Sequence, residues 1–238
     1  MEALQQATRK LLGLQLTASQ IRAFGIYARE LEEWNRRINL TAITDPADIE
    51  MKHFLDSLSC LLAHRPGPGS RVVDVGTGAG FPGIPLKIVY PGIRLTLVEA
   101  TEKKADFLRH ITMALRLEGV AVLGERAEAL GQDPYHRERY DWALARAVAE
   151  MRTLAEYLLP LCRIGGRCLA QKGESAPQEV TGAQHAIHLL GGRIVQIMPV
   201  ELPTVAETRY LVNLEKVAAT PPKYPRRPGI PSKRPLTS

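Results

Sequence analysis

The stretch that decides the fold reading is Val72-Val-Asp-Val-Gly-Thr-Gly-Ala-Gly80. A short apolar run able to form a buried strand enters three glycines, Gly76, Gly78 and Gly80, and a helical pattern begins near Pro82. Glycines at such a turn let the backbone pass close beneath a ligand, where a Cβ would collide. They also leave the N–H groups of the following helix facing any anionic group bound there. Asp74 stands two residues before the first glycine, and Glu99 closes the next strand-like run, 23 residues after Gly76. At a strand's C-terminal end Glu99 can accept hydrogen bonds from both hydroxyls of a ribose; the alternative is a solvated strand end. Asp74 reads as part of the same pocket or as an acid that satisfies the turn. The third strand end supplies Arg126-Ala127-Glu128, where an adenine ring would lie. Glu128 can accept from the adenine amine or can serve a helix start.

Working outward, short β-branched runs alternate with helical ones, the mark of a parallel sheet covered on both faces. The predicted strands are 71–75, 95–99, 120–124, 140–146 and 166–171, with helices near 82–90, 102–117, 150–161 and 175–190. Two further strands, 192–201 and 208–217, follow each other without a helix and predict an antiparallel hairpin closing one edge. Upstream, Thr17-Ala-Ser-Gln20 opens a run with Ile21, Phe24, Ile26, Tyr27, Leu31, Trp34 and Ile38 at helical spacing. Asp45-Pro46 opens a second, carrying Ile49, Phe54, Leu55, Leu58, Leu61 and Leu62. Arg65-Pro-Gly-Pro-Gly-Ser70 breaks the pattern. The expected organisation is a helical N-terminal extension (1–65), a Rossmann-like α/β domain (66–219) and a tail (220–238).

The composition, 238 residues with 45% apolar content, suits one globular core with an appendage and excludes a disordered or fibrous chain. The apolar runs are strand-sized, far short of the roughly 20 residues that cross a bilayer, and residues 1–8 lack a secretory layout. The expectation is a cytoplasmic protein with no membrane and no obligate protein partner. Cys60, Cys162 and Cys168 are odd in number and lack metal-ligand spacing, so they read as reduced core residues and no metal is expected. Of the net charge of +6, Lys223, Arg226, Arg227, Lys233 and Arg234 contribute five within an acid-free tail.

These segments together resemble one family. Asp74-Val-Gly-Thr-Gly-Ala-Gly-Phe-Pro-Gly-Ile-Pro85, Trp34-Asn-Arg-Arg-Ile-Asn-Leu-Thr-Ala-Ile43, His53-Phe-Leu-Asp-Ser-Leu58, Arg126-Ala-Glu128 and Ala145-Arg-Ala-Val148 resemble the glucose-inhibited division protein B family, the small-subunit ribosomal RNA methyltransferase G enzymes. The resemblance runs from about residue 15 to the tail. It implies a class I methyltransferase sheet, S-adenosyl-L-methionine as cofactor, contacts to it from Gly76, Phe81, Ala127, Glu128 and Arg146, and methylation of a guanine at N7 in 16S, the small-subunit rRNA. Where the family often has Ser before its Arg-Ala-Val-Ala run, Ala145 stands here, so no hydroxyl acts at that position.

The fourth strand, Asp141-Trp-Ala-Leu-Ala-Arg-Ala147, lacks the Asp/Asn-Pro-Pro-aromatic motif of exocyclic-amine methyltransferases, and neither cysteine segment resembles a cytosine-C5 nucleophile loop. Both absences suit N7, which offers an in-plane lone pair and no proton to remove, so catalysis is a matter of alignment. Arg146 is the candidate catalytic residue, presenting donors to the guanine, contacting the cofactor, or serving as a structural ion-pair partner. His53 and Asp56 read chiefly as packing and capping residues that can also line the entrance. The glycines and distal acid are shared with nicotinamide-dependent oxidoreductases, the competing reading; a non-catalytic RNA-binding assembly protein is the other. The tail, with six prolines between Thr220 and Ser238, is expected to be extended, to grip rRNA phosphates with its five cations and to stack Tyr224 on a base. Its removal is expected to leave cofactor affinity unchanged.

Overall fold

The computed structural model describes residues 1–237. The first predicted helix starts where its cap predicts. Thr17 accepts from the Gln20 backbone N–H while the Gln20 side chain accepts from the Thr17 N–H, a capping box that opens α2 (Ala18–Ile38). Before it lies α1 (Glu2–Leu12), which the sequence reading did not separate because its buried stripe is only Leu4, Ala7, Thr8 and Leu12 in a polar run. The second predicted helix is a composite: one turn, α3 (Pro46–Asp48), a π-helical segment Ile49–Leu55, α4 (Asp56–Ser59), and a final 3₁₀ turn Cys60–Leu62. A π segment widens the helix by one residue per turn and is found often at functional sites.

The sheet contains β1 (Arg71–Val75), β2 (Arg94–Val98), β3 (Val120–Leu123), β4 (Tyr140–Arg146), β5 (Cys162–Lys172), β6 (Gly192–Val200) and β7 (Arg209–Lys216) in the order β3-β2-β1-β4-β5-β7-β6. The first five are mutually parallel, and β7 is antiparallel to both β5 and β6, so the terminal hairpin closes one edge as predicted. The order reverses beside β1, between β1 and β4, which puts a crevice at their C-terminal ends. β5 begins at Cys162, earlier than predicted, through an irregular register between Tyr140 and Trp142.

Alternation along the strands builds two cores. Val72, Leu95, Leu97, Trp142, Leu144 and Leu169 face the side covered by α1, α2, residues 46–62, α5 (Gly83–Val89) and α6 (Glu102–Ala114). Val73, Val75, Val98, Ala143, Ala145, Cys168 and Ala170 face the side covered by α7 (Ala127–Gln132), α8 (Met151–Leu158) and α9 (Ala176–Leu189). α7, only six residues long, was not predicted. The three cysteines are buried and free.

The tail departs from expectation. It is not an extended arm: Tyr224 is 7% exposed in the second core, and residues 230–233 form a short α10 (Ile230–Lys233). Its prolines have no N–H to pair with the segment's own carbonyls, and donors from outside the segment take several of these up. Arg137 donates to Thr220 O and Tyr224 O, both at 2.7 Å, and Gln132 Nε2 to Pro225 O at 2.7 Å. Arg226 reaches fully buried Glu156 through its backbone N–H and its guanidinium at 2.7–3.2 Å.

The same corner holds a fully buried ammonium. Lys216 Nζ donates to Glu138 Oε1 at 2.9 Å, Thr220 Oγ1 at 2.7 Å and Leu159 O, which satisfies all three protons. Removing one partner of such a network strands the others. Lys216→Met is therefore expected to lower unfolding free energy by about 3 kcal/mol or more in urea denaturation.

Candidate active site

The glycine turn is shaped by what surrounds each glycine. Gly76 and Gly78 have φ of +63° and +60°, left-handed values that disfavour a side chain. A Cβ on Gly76 would stand 2.7 Å from Val148, whereas one on Gly78 would meet nothing within 4 Å. The Gly78 position therefore opens to space, as a surface for a close ligand must. Asp74, fully buried, braces the turn from beneath: its Oδ2 accepts from Thr77 Oγ1 at 2.6 Å and from Gly83 N at 2.8 Å. Of the two sequence readings for Asp74, the geometry favours the acid that satisfies the turn. Burial raises its carboxyl to about 7, against the pull of those two hydrogen bonds. Glu99, at the end of β2, accepts from Gly78 N at 3.0 Å and Thr101 N at 2.8 Å, one bond per oxygen, leaving further lone pairs on each.

Two clefts open at the C-terminal ends of the strands. The first, about 270 Å³, is lined by Gly76, Val98, Ala100, the 125–128 segment, Val148, Ala149, Tyr157 and Ser232. It brings together Gly76, Ala127 and Glu128 as predicted, with Glu99 between two of its lining residues. The second, about 300 Å³, is lined by Lys52, His53, Asp56, Arg146, Gln171, Lys172 and Arg209 among others. The end of β4 separates them, with Arg146 and Ala147 on one side and Val148 and Ala149 on the other.

Phe81, expected to touch cofactor, is 4% exposed and lines neither cleft. Its ring stacks on His53 with centroids 4.5 Å apart, and the Arg146 guanidinium lies 4.7 Å over it. Arg146 faces the second cleft instead of the first, donating to Asp56 Oδ2 at 2.9 Å. Gln171 Nε2 holds Asp56 from behind through its carbonyl at 2.6 Å. Burial raises the Asp56 carboxyl, and Arg146 opposes that rise.

His53 belongs to this cluster by its tautomer. Arg146 Nη2 can only donate, so His53 Nδ1, 3.2 Å away, is the acceptor, and Nε2–H faces Thr41 Oγ1 at 2.8 Å. Burial pushes the imidazole down to about 3, and the Arg146 charge adds to the push. Tyr27, Tyr157, Ser232, Lys172 and Arg209 were not singled out as site residues from sequence, and Lys52 only as an alternative RNA contact. Tyr27 carried only its place in a helical stripe, and Ser232 carried no signal.

The profile of the rRNA small subunit methyltransferase G family matches residues 20–205. The chain belongs to that family. Ribosomal RNA small subunit methyltransferase G of Roseiflexus castenholzii is 55% identical over 224 residues, covering 94% of this chain and 95% of that one. The protein of the same name from Dehalococcoides mccartyi strain BAV1 is 50% identical over 225 residues, with coverage of 94% and 95%. Among solved structures, TrmN from Thermus thermophilus superposes with a TM-score of 0.53 at 22% identity, over 68% of this chain and 48% of that one. MtNAS in complex with MTA and tNA gives 0.55 at 18% identity, over 82% and 71%. These two likenesses speak for the fold alone.

As a member of the methyltransferase G family the chain is an S-adenosylmethionine-dependent methyltransferase, which removes the oxidoreductase and non-catalytic readings. The first cleft fits that cofactor chemically: the Gly76 backbone, the Glu128 carboxylate and apolar walls from Val98, Ala100 and Val148 line it.

The low imidazole value gives a stability test. A histidine with a depressed folded value keeps its contribution above the unfolded value of 6.5 and loses it as pH falls toward 3. Between pH 7.5 and 5 the unfolded chain takes up this proton and the folded chain does not, a loss of about 2 kcal/mol. Wild type should therefore lose about 2 kcal/mol more than His53→Gln over that interval in denaturant titrations.

Proposed function

We propose that this methyltransferase transfers the methyl group of S-adenosylmethionine to N7 of a guanine in 16S rRNA, in the cytoplasm. The observation that carries this reading is the second cleft, walled from the first only by the end of β4, where the acid and the imidazole are both held by Arg146. Arg146 occupies both, and N7 has no proton to give. The bound cofactor supplies an electrophilic methyl group; the chain supplies alignment. Gly76, Ala127, Glu128 and Glu99 hold the nucleoside end, with Gly78 and Gly80 keeping the turn close, and Asp74 fixes that turn from below. Arg146, locked between Phe81 and Asp56, orients the guanine by donation to its O6. A cation fixed before substrate arrives costs no reorganisation during transfer.

The surface of the second cleft adds Lys52, Lys172 and Arg209, cations suited to the phosphates around a target base. Of the tail cations, Lys223, Arg227, Lys233 and Arg234 are exposed and available to RNA; Arg226 is paired with Glu156, and buried Tyr224 does not stack on a base.

Mass mapping of 16S rRNA from cells lacking the protein should show one guanine unmethylated at N7, and restored by the purified enzyme. Methylation at an exocyclic amine would overturn the assignment. Glu99→Ala should weaken S-adenosylmethionine binding by about 1.5–3 kcal/mol in calorimetry, the range for lost charged hydrogen bonds. Gly78→Val should weaken it further, because its side chain enters the open space. Replacing Lys223, Arg227, Lys233 and Arg234 by Gln should flatten the slope of log RNA affinity against log salt by about 3. An unchanged slope would move the phosphate contacts to Arg29, Arg36, Arg37 and Lys52.

A further inference from the structure

Glu128 and Ser232 both line the first cleft though 104 positions separate them in sequence. The chain reaches from one to the other through a series of fixed contacts. Arg226 is bound to buried Glu156 on α8. Pro225 then packs against Gly131, where a Cβ would meet it at 2.7 Å, so that tail and α7 touch without a gap. Three residues beyond Arg226, Gly229 N donates to Glu128 Oε1 at 2.8 Å. Thr153 Oγ1 takes up Pro231 O at 3.1 Å, and Ser232 follows as a lining residue of the cleft.

From these contacts we infer that the C-terminal segment 226–232 is a wall of the cofactor cleft and the positioning element for Glu128. The inference rests on the reading that S-adenosylmethionine occupies this cleft. Glu128 lies in the first turn of a six-residue helix whose N-cap, Arg126, makes no side-chain cap bond. Such a short helix holds its side chains weakly by itself. The Gly229 amide takes one carboxylate oxygen and, among the described residues, the other is left to the cleft. Gly229 reaches this position with φ of +81°, and a Cβ there would meet nothing within 4 Å, so the backbone conformation and not crowding calls for glycine. The expectation that the tail is irrelevant to cofactor affinity is therefore reversed: nucleoside binding and tail docking share Glu128.

The test compares wild type, a chain ending at Pro228, Ser232→Trp and Ser232→Ala. Truncation at Pro228 keeps Tyr224 and the Arg226–Glu156 pair and removes the Gly229 amide, the wall, the Pro231 carbonyl that Thr153 holds, and the residues beyond. Binding of S-adenosylhomocysteine is measured by calorimetry, and melting is measured without ligand. Truncation and Ser232→Trp should each weaken binding about tenfold, the scale of one charge-assisted hydrogen bond or one blocked face. Ser232→Ala, which adds no bulk to the wall, should bind more tightly than Ser232→Trp. Ser232 is exposed, so Ser232→Trp should melt with wild type in the absence of ligand, which separates the wall from a merely structural role. Methylthioadenosine, which lacks the amino-acid end, should show the same proportional loss, because the wall lies at the nucleoside end. Affinities within twofold of wild type in both variants would overturn the inference, as would a loss confined to S-adenosylhomocysteine. Failure of wild type itself to bind S-adenosylhomocysteine would instead overturn the reading of the cleft.

Discussion

One oxygen of one buried carboxylate sets the geometry of the site. Asp74 Oδ2 receives a hydroxyl from Thr77, within the turn, and an amide from Gly83, where α5 begins, so both limbs of the turn are tied to the end of β1. From the other face the Tyr27 hydroxyl on α2 donates to Ala79 O. A Cβ on Gly80 would come within 2.7 Å of that hydroxyl and 2.4 Å of Ile84. Helix α2 thus presses on the glycine turn directly. The three glycines serve different neighbours: Gly76 yields to Val148, Gly80 to Tyr27 and Ile84, and Gly78 alone looks into open space.

The second constraint starts from Arg146. A guanidinium with only 14% of its side chain exposed needs its donors used and its charge met. Asp56 meets the charge, His53 and the Lys52 carbonyl take further donors, and Phe81 lends its ring face. Each partner comes from residues 46–62 or the glycine turn, and the π segment ends immediately before Asp56. The cation therefore reports the arrangement of the helical region to the end of β4, where both clefts meet. An arginine free to rotate would lose this; one clamped on three sides holds its remaining donors in fixed directions.

Most of the sheet was legible because parallel strands buried on both faces write their period into β-branched runs, and because the hairpin lacks an intervening helix. α7 escaped because six residues hold too little periodicity, and α1 because its apolar stripe is sparse. The placement of Gly76, Ala127 and Glu128 around one cleft was legible since the strand-end rule works locally, whereas Arg146 lines the other cleft. Asp74 and Phe81 share the glycine segment with their side chains buried, a direction that spacing does not carry. Tyr27, Tyr157 and Ser232 arrive from distant elements, and only folding brings them near the glycines. The tail was misread for a related reason: its own composition contains no acid, and its partner Glu156 lies 70 residues upstream.

That pairing changes what the basic tail is for. An acid-free, proline-rich stretch left to itself has no packing energy to offset its ordering. Here order comes from outside donors and acceptors: Arg137 and Gln132 for its carbonyls, Glu156 for its one inward cation, Glu128 for the Gly229 amide. The remaining four cations face outward from a segment whose inner side borders the cofactor cleft. If RNA phosphates meet the outer side of this docked strap and a nucleoside its inner side, linkage requires each to change the other's affinity by the same factor. Thermodynamic coupling between a polyanion outside and a nucleoside inside needs no moving domain, only a segment whose order is borrowed from both.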